Sequence, residues 1–446
     1  PGERGPRAAQ GSMAAALPPS SPTRRKAMDR DAGEVVGPTG TEHQSCPEFS
    51  ATEAAAKAAR TGSEDGKEAE DDTEVTHFLE VCYSVADYER LGLYLVDLFK
   101  DRFAKTISAP QDRALWASKI APDDLVEGMR HRVHFNQQGL LDELVRDLAM
   151  NPVGPPSGLG SRQPPPGILR VPPGVHVGMG NASKTRSTLK QFVREWSREG
   201  AADREKTFGP LLQAMERYVP FDPSTGNRRP KVSTPGSGLA RLTFEVARRG
   251  YHGEGNEFSY HMLLGTMWVL NEAEAPLSTT IFPYVLDTHD RINVHDHLRA
   301  VQIPDVCPAD FSAPECGFGE ISMRGGEFIE VYKDQTAEWD AVLTAFFLDT
   351  ANNVFAYIRT FANMVHEGGL WANFGPLLWH YSPQGGGDYD AISIELAWDE
   401  VRPAIEKYFV IQETDVRDAL YTDGGCVPKR KVYHCLYFAA IRNGAP

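Results

Sequence analysis

The chain has 446 residues, 41% of them hydrophobic, enough for one large domain or two modest ones. Its 46 basic and 61 acidic residues leave a net charge of −15, which disfavours nucleic acid or an anionic membrane as a main partner. The longest apolar run, Met262–Leu270, is too short to span a bilayer, and no secretory h-region is visible near the amino end.

Six cysteines, Cys46, Cys82, Cys307, Cys316, Cys426 and Cys435, include no CxxC pair, so free thiols in a reducing, cytosolic setting are expected. The chain opens on Pro rather than Met, and Met13 and Met28 are candidate starts.

Residues 1–72 are rich in Ala, Gly, Ser, Pro and charge and end in the acidic run EDGKEAEDD. Aromatic and β-branched residues are sparse there, which predicts disorder. From Thr73 onward, HFLEVCYSVADYERLGLYLVDLF and DDLVEGMRHRVHFNQQGLLDELVRDLAM carry apolar residues at helical spacing. A Pro/Gly-rich surface loop over 151–167 interrupts them. Leu189, Phe192, Val193 and Trp196 then fall at i, i+3, i+4 and i+7, predicting a third helix with Gly200 as its stop. Residues 73–230 therefore read as a helical layer.

After Lys231 the texture turns α/β. A short strand runs into PGSG at 235–238, the helix LARLTFEVARR closes at Gly250, and a second strand ends in GNE. The segment 260–270 is apolar nearly all round, as a buried helix would be. WDAVLTAFFLDT at 339–350 reads as a central parallel strand, followed by a helix over 353–366, a GG turn and the strand LWANFG at 370–375. This alternation predicts a doubly wound, Rossmann-like parallel sheet over 231–446.

PGSG, with Gly236 in the turn, permits close backbone approach at a helix amino terminus. Glu257, about 20 residues on, can accept both hydroxyl hydrogens of a ribose. The pair suits either a nicotinamide dinucleotide or an adenosyl sulfonium. Ala240 at the third-glycine position, the acidic end of the later strand and the GG turn favour the second.

The blocks STLKQFVREWSREG (187–200), PGSGLARL (235–242), GNEFS (255–259), FFLDTANNV (346–354), GGLWANFGPLLWH (368–380) and SIELAWDEV (393–401) resemble, in order, the carnosine N-methyltransferases. The resemblance covers about 185–440 well and 73–150 loosely. It implies a class I methyltransferase sheet with a helical amino-terminal layer, S-adenosyl-L-methionine as cofactor, and methyl transfer to the π nitrogen of carnosine to give anserine. It also implies a cofactor site of Gln191, Arg194, Gly236, Glu257, Glu327 and Phe328, with Gln191 and Arg194 at the methionine end. Asp349, His380, Tyr421 and Tyr433 fall where the family contacts the dipeptide. Asp349 is expected to fix the imidazole tautomer, with His380 a second polar contact. A homodimer through the helical layer is implied as well, with no metal.

Three departures stand out. Glu327 occupies a position where the family is expected to carry Asp. The first strand, KVSTPG, is about two residues short and preceded by Pro230, which would thin the sheet behind the turn. Lys431 and Val432 replace part of a tyrosine run.

Two other readings stay open from the residues alone. Asp287, His289, Asp290, His295, Asp296 and His297 could hold zinc or manganese in a hydrolase. A methyltransferase acting on another histidine peptide or protein would carry the same cofactor motifs.

Overall fold

The computed structural model describes residues 64–446, apart from 118–121, 147–168, 173, 223, 225, 312–316, 384–391 and 422–430. The loop expected at 151–167, most of the amino-terminal segment, and Cys46, Cys316 and Cys426 lie outside the described residues. Ser63–Pro446 is a single compact unit, so the helical region and the α/β region are layers of one body.

The amino-terminal layer comprises α1 (Glu64–Ala86), α2 (Tyr88–Thr106), α3 (Pro110–Ala117) and α4 (Pro122–Asn136), the last continued by a π turn at Gln137–Leu141. Helix α1 starts nine residues inside the segment expected to be disordered. The Glu, Lys and Ala residues of the acidic run are good helix formers, and acidic residues are favoured at the positive end of a helix dipole. Then come α5 (Met179–Trp196), α6 (Ala201–Thr207) and α7 (Gly209–Tyr218).

The four apolar residues expected to bury one face of α5, Leu189, Phe192, Val193 and Trp196, are all inaccessible to solvent or nearly so. Each stabilises the fold by about 1.5–3 kcal/mol. The helix ends at Trp196, not at Gly200. Ser197 turns extended and its hydroxyl donates to the Val193 carbonyl at 2.6 Å. Gly200 serves the bend that follows, where a Cβ would lie 2.2 Å from the Arg194 carbonyl oxygen.

The sheet region follows as β1 (Lys231–Pro235), α8 (Arg241–Arg248), β2 (His252–Glu257), α9 (Tyr260–Asn271), β3 (Thr279–Ile281), β4 (Val301–Ile303), β5 (Ile321–Gly325) and α10 (Phe328–Tyr332). It is completed by β6 (Trp339–Ala345), α11 (Val354–Met364), β7 (Val365–Gly375), α12 (Trp398–Tyr408), β8 (Phe409–Leu420) and β9 (Val432–Arg442). Seven strands run in the order β5-β2-β1-β6-β7-β9-β8, with β3 and β4 a separate antiparallel pair. All seven are parallel except β9, which is antiparallel to both neighbours. A chain reversing outward from β1 in both directions, with an inserted antiparallel strand near one edge, is the class I methyltransferase arrangement. Its reversal point between β1 and β6 opens a crevice at the strands' carboxyl ends, where ligands bind in such sheets.

Several expectations shift in detail. β1 is short but central: it pairs with β2 over Lys231–Pro235 and with β6 at Val232 and Ser233. Pro230 lies just outside the strand and enters the ladder as an acceptor, from the His252 N–H at 2.9 Å. Strand β6 stops at Ala345 because Phe346 takes a left-handed φ of 55°, after which Leu348–Thr350 form a 3-10 turn. The GG pair lies inside β7, which begins at Val365 and shifts register against β6 between Trp339 and Ala341. Helix α9 is buried along one side only; Met267 is 56% exposed.

Candidate active site

A cavity of about 600 Å³ opens at the carboxyl ends of β1, β2 and β6, between the sheet and α5. Gln191, Arg194, Gly236, Glu257, Glu327, Phe328, His380 and Tyr421 all line it, so eight of the ten expected site residues meet in one place. Asp349 and Tyr433 stand immediately behind.

The glycine turn is built for close approach. Gly236 has φ 65°, and a Cβ there would lie 2.4 Å from Phe347 Cδ2; Gly238 has φ 57°, with Glu195 Oε1 at 2.6 Å from its missing Cβ. Gly236→Ala should therefore cost about 1–2 kcal/mol of backbone strain plus a clash. The expected result is a lower thermal midpoint and at least about a tenfold loss of cofactor affinity, read by calorimetry.

Helix α5 is fastened to this turn. The Trp196 indole N–H donates to the Leu239 carbonyl at 2.9 Å, and the Glu195 carboxylate accepts from the Leu239 and Arg241 N–H groups at 3.1 and 3.3 Å. Burial pushes the Glu195 carboxyl up to about 7, against the pull of Arg194 and those two N–H groups.

Glu257 closes β2 with its carboxylate oriented by three backbone N–H groups: Gly238 at 2.8 Å, Phe258 at 3.0 Å and Ser259 at 2.8 Å. Burial raises its pKa and these donors oppose the rise. A carboxylate fixed in this way is ready to accept further hydroxyl hydrogens. Glu327 caps α10, its side chain accepting from the Glu330 N–H at 3.0 Å. Phe328 is almost fully buried, packed edge-on to Phe347 and Tyr357 with centroids 5.4 and 5.0 Å away.

At the other end, the Gln191 amide N–H donates to the Tyr421 phenol at 2.9 Å, and the Arg194 guanidinium carbon lies 4.4 Å from the Tyr421 ring centroid and 5.2 Å from that of Phe346. Tyr421 thus braces the two α5 side chains as well as facing the cavity. Tyr433 does not line the cavity and packs behind this group, with its ring 6.2 Å from Phe346 and 6.5 Å from Tyr421. Lys431 folds over the Tyr433 ring at 4.8 Å.

Asp349 is 1% exposed. Its Oδ2 accepts from the Leu378 N–H at 3.0 Å, its carbonyl accepts from the His380 N–H at 2.9 Å, and its Oδ1 is buried without a partner. Burial raises its pKa; the Leu378 N–H and the nearby His380 counter this. His380 is exposed and lines the cavity.

An unpartnered buried polar atom normally costs about 1–3 kcal/mol. Gln191 Oε1 and Arg194 Nη2, on residues that line the cavity, are in this state, as are Ser237 Oγ in the glycine turn and Asp349 Oδ1 beside the His380 backbone. Such a set fits a polar ligand that completes them, and the glycine cradle and Glu257 fit the adenosyl and amino-acid parts of S-adenosyl-L-methionine.

Residues not singled out from the sequence also contribute. Glu195, Phe346, Phe347, Tyr357 and Tyr381 line the cavity. FFLDT read as an apolar strand, so nothing signalled that Phe346 would leave it.

The Asp/His-rich stretch at 286–299 forms a different structure. Asp287 pairs with Arg186 and Lys190 at 3.1 and 2.7 Å, and Asp296 accepts from the Ile292 and Asn293 N–H groups. His297 is buried against Arg291. Among the described residues no three His, Cys, Asp or Glu side chains are grouped to hold a metal ion. Cys82, Cys307 and Cys435 are buried free thiols, and no helix among the described residues is long and apolar enough to cross a membrane.

Comparison with known proteins agrees with this geometry. A carnosine N-methyltransferase of Dictyostelium discoideum is 34% identical over 259 residues, covering 58% of this chain and 54% of the relative. One from Drosophila melanogaster is 35% identical over 345 residues, covering 72% and 73%, and one from Mus musculus is 35% identical over 260 residues, covering 57% and 62%. The chain thus spans between about half and three quarters of the length of these relatives. A solved S-adenosylmethionine-dependent methyltransferase from Methanosarcina mazei is 8% identical, with a TM-score of 0.32 over 49% of this chain and 95% of that one. The strand order, not that distant likeness, carries the fold assignment. The carnosine N-methyltransferase family model matches residues 174–444, more than half of the chain, a span within which the ten expected site residues fall, and the protein belongs to that family.

Proposed function

We propose that this protein transfers the methyl group of S-adenosyl-L-methionine to the π nitrogen of the histidine imidazole of carnosine, giving anserine. The observation that carries the reading is Asp349 Oδ1, a buried carboxylate oxygen with no partner beside the cavity lined by His380.

When bound, the cofactor supplies an electrophilic methyl on a sulfonium. Displacement of that methyl needs alignment more than a strong base, because an imidazole with a pKa near 6.5 is mostly neutral at neutral pH. Holding the reactants in place is worth roughly 7–11 kcal/mol. The residues must therefore settle which ring nitrogen attacks. Asp349 would accept the N–H of one nitrogen, which would leave the lone pair on the other free to take the methyl that the bound sulfonium supplies, the C–S bonding pair staying with sulfur. The ring becomes an imidazolium whose remaining N–H faces the carboxylate, so Asp349 also stabilises the charge that develops. His380, exposed at the cavity, is placed to hold the rest of the dipeptide.

The test is a transfer assay with purified protein, labelled cofactor and carnosine, with the methyl located by mass spectrometry. Methyl on the π nitrogen is expected; transfer only to another histidine peptide would move the substrate and keep the chemistry. A homodimer belongs to the same reading. Sedimentation velocity would measure the mass directly.

A further inference from the structure

The cavity end formed by α5 holds two adjacent residues of opposite charge, Arg194 and Glu195, with side chains 8% and 3% exposed. Their closest approach, Arg194 Nη1 to Glu195 Oε1, is 3.7 Å, longer than a hydrogen bond. Each also keeps an atom in reserve. Arg194 Nη2 is buried without a partner. Glu195 gives Oε2 to the Leu239 and Arg241 N–H groups, while Oε1 faces Arg194 and the space beside Gly238. Gln191 Oε1, one turn earlier on the same helix, is a further buried acceptor without a donor.

Two acceptors and one cationic donor within a single turn of helix match an amino-acid zwitterion, whose ammonium donates and whose carboxylate accepts. A lone Arg would attract the carboxylate but repel the ammonium; the adjacent carboxylate removes that conflict and keeps the buried charges balanced. We propose that Glu195 recognises the α-ammonium of the cofactor's amino-acid end, with Gln191 Oε1 as second acceptor and Arg194 taking the carboxylate. This inference rests on the cofactor assignment made above.

A pH dependence follows. Arg194 faces Glu195 from its own helix, the Leu239 and Arg241 N–H groups from the start of α8, and Glu257 from the end of β2. The Arg241 guanidinium is engaged elsewhere, with the Glu195 carbonyl, Glu245 and Asp305. Below pH 7 the carboxyl takes up a proton and loses the charge that pairs with an ammonium; above pH 7 the charge is present. Affinity for ligands bearing the amine should therefore decline as pH falls through about 7.

Calorimetry with two probes tests the assignment: S-adenosylhomocysteine, and the same thioether lacking its amino group. Glu195→Gln preserves an oxygen for the Leu239 and Arg241 N–H groups and replaces Oε1, the atom that faces Arg194, by an NH₂, so the charge and the free acceptor are lost together. The variant should bind S-adenosylhomocysteine about 30-fold more weakly and the deaminated ligand within about twofold of the unaltered protein. Equal weakening toward both would reduce Glu195 to a cap on α8 and overturn the proposal, as would undiminished binding of both. The unaltered protein supplies an independent reading. Its affinity for S-adenosylhomocysteine, and not for the deaminated ligand, should fall by up to about tenfold per pH unit below 7; a flat profile for both overturns the role. If the unaltered protein binds neither ligand at any pH, the cofactor assignment itself fails. Binding of S-adenosylhomocysteine with no preference over the deaminated form keeps the cofactor and removes only Glu195.

Discussion

Asp349→Asn should lower turnover by roughly ten-thousandfold, the scale on which loss of tautomer control acts in hydrolases, while leaving cofactor affinity within about twofold. The asymmetry follows from where the side chain sits. Asp349 Oδ2 is tied to the Leu378 N–H, an attachment an amide oxygen can retain, so the fold around the 3-10 turn should survive. What changes is the second atom. Oδ1 has no partner in the protein, and in the variant an NH₂ would replace that acceptor, favouring the tautomer whose lone pair points the wrong way. Rapid-mix turnover at saturating cofactor, paired with calorimetry, separates the two quantities. A matching loss in cofactor binding would show that Asp349 holds the cavity rather than the imidazole.

The same group predicts an acid limb in the unaltered enzyme. Burial raises the Asp349 pKa, with the Leu378 N–H and His380 partly offsetting it. The acceptor is therefore present above that raised pKa and lost as pH falls through it, so activity should decline at a higher pH than an ordinary carboxylate would dictate. The imidazole of the substrate adds its own limb near 6.5. The Asn variant should retain only the latter.

Local pattern carried much of this architecture. The i, i+3, i+4, i+7 spacing of Leu189, Phe192, Val193 and Trp196 identified α5 and its buried face, and hence the side on which Gln191 and Arg194 could meet a ligand. The turn at Gly236 and the acid at Glu257 were legible because each is fixed within one strand-turn-helix unit. Phe346 was not. Its left-handed backbone is imposed by distant partners: its N–H donates to the Phe374 carbonyl at 2.8 Å, and Gly375 admits its backbone within 3.0 Å of a would-be Cβ. No periodicity in FFLDT encodes that. Glu195 was hidden for a related reason. A glutamate beside an arginine on a helix reads as a solvated polar pair, and only the docking of α5 on the Leu239–Arg241 backbone shows that both are buried. The brace between Gln191 and Tyr421 spans 230 positions and depends on the β8–β9 hairpin, whose register places Ala419 opposite Tyr433.

Glu257→Gln should show the reverse of the Asp349 result: about a hundredfold weaker cofactor binding with saturated turnover changed by no more than a few-fold. Two contributions add. Charge-assisted hydrogen bonds to a ribose are worth about 1.5–3 kcal/mol each, and removing the charge weakens them. The carboxylate also accepts from three backbone N–H groups, at Gly238, Phe258 and Ser259. An amide can offer only one oxygen to that set, so its NH₂ must face at least one N–H donor, and the glycine turn loosens at the point where the ligand approaches. Neither loss reaches the imidazole, because Asp349 is held by the Leu378 and His380 backbone at the end of a different strand. Titration with S-adenosylhomocysteine and turnover at saturating cofactor distinguish the cases. A saturated turnover that falls as far as in Asp349→Asn would mean that Glu257 shapes the reacting geometry, and the separation of binding from positioning between β2 and β6 would have to be abandoned.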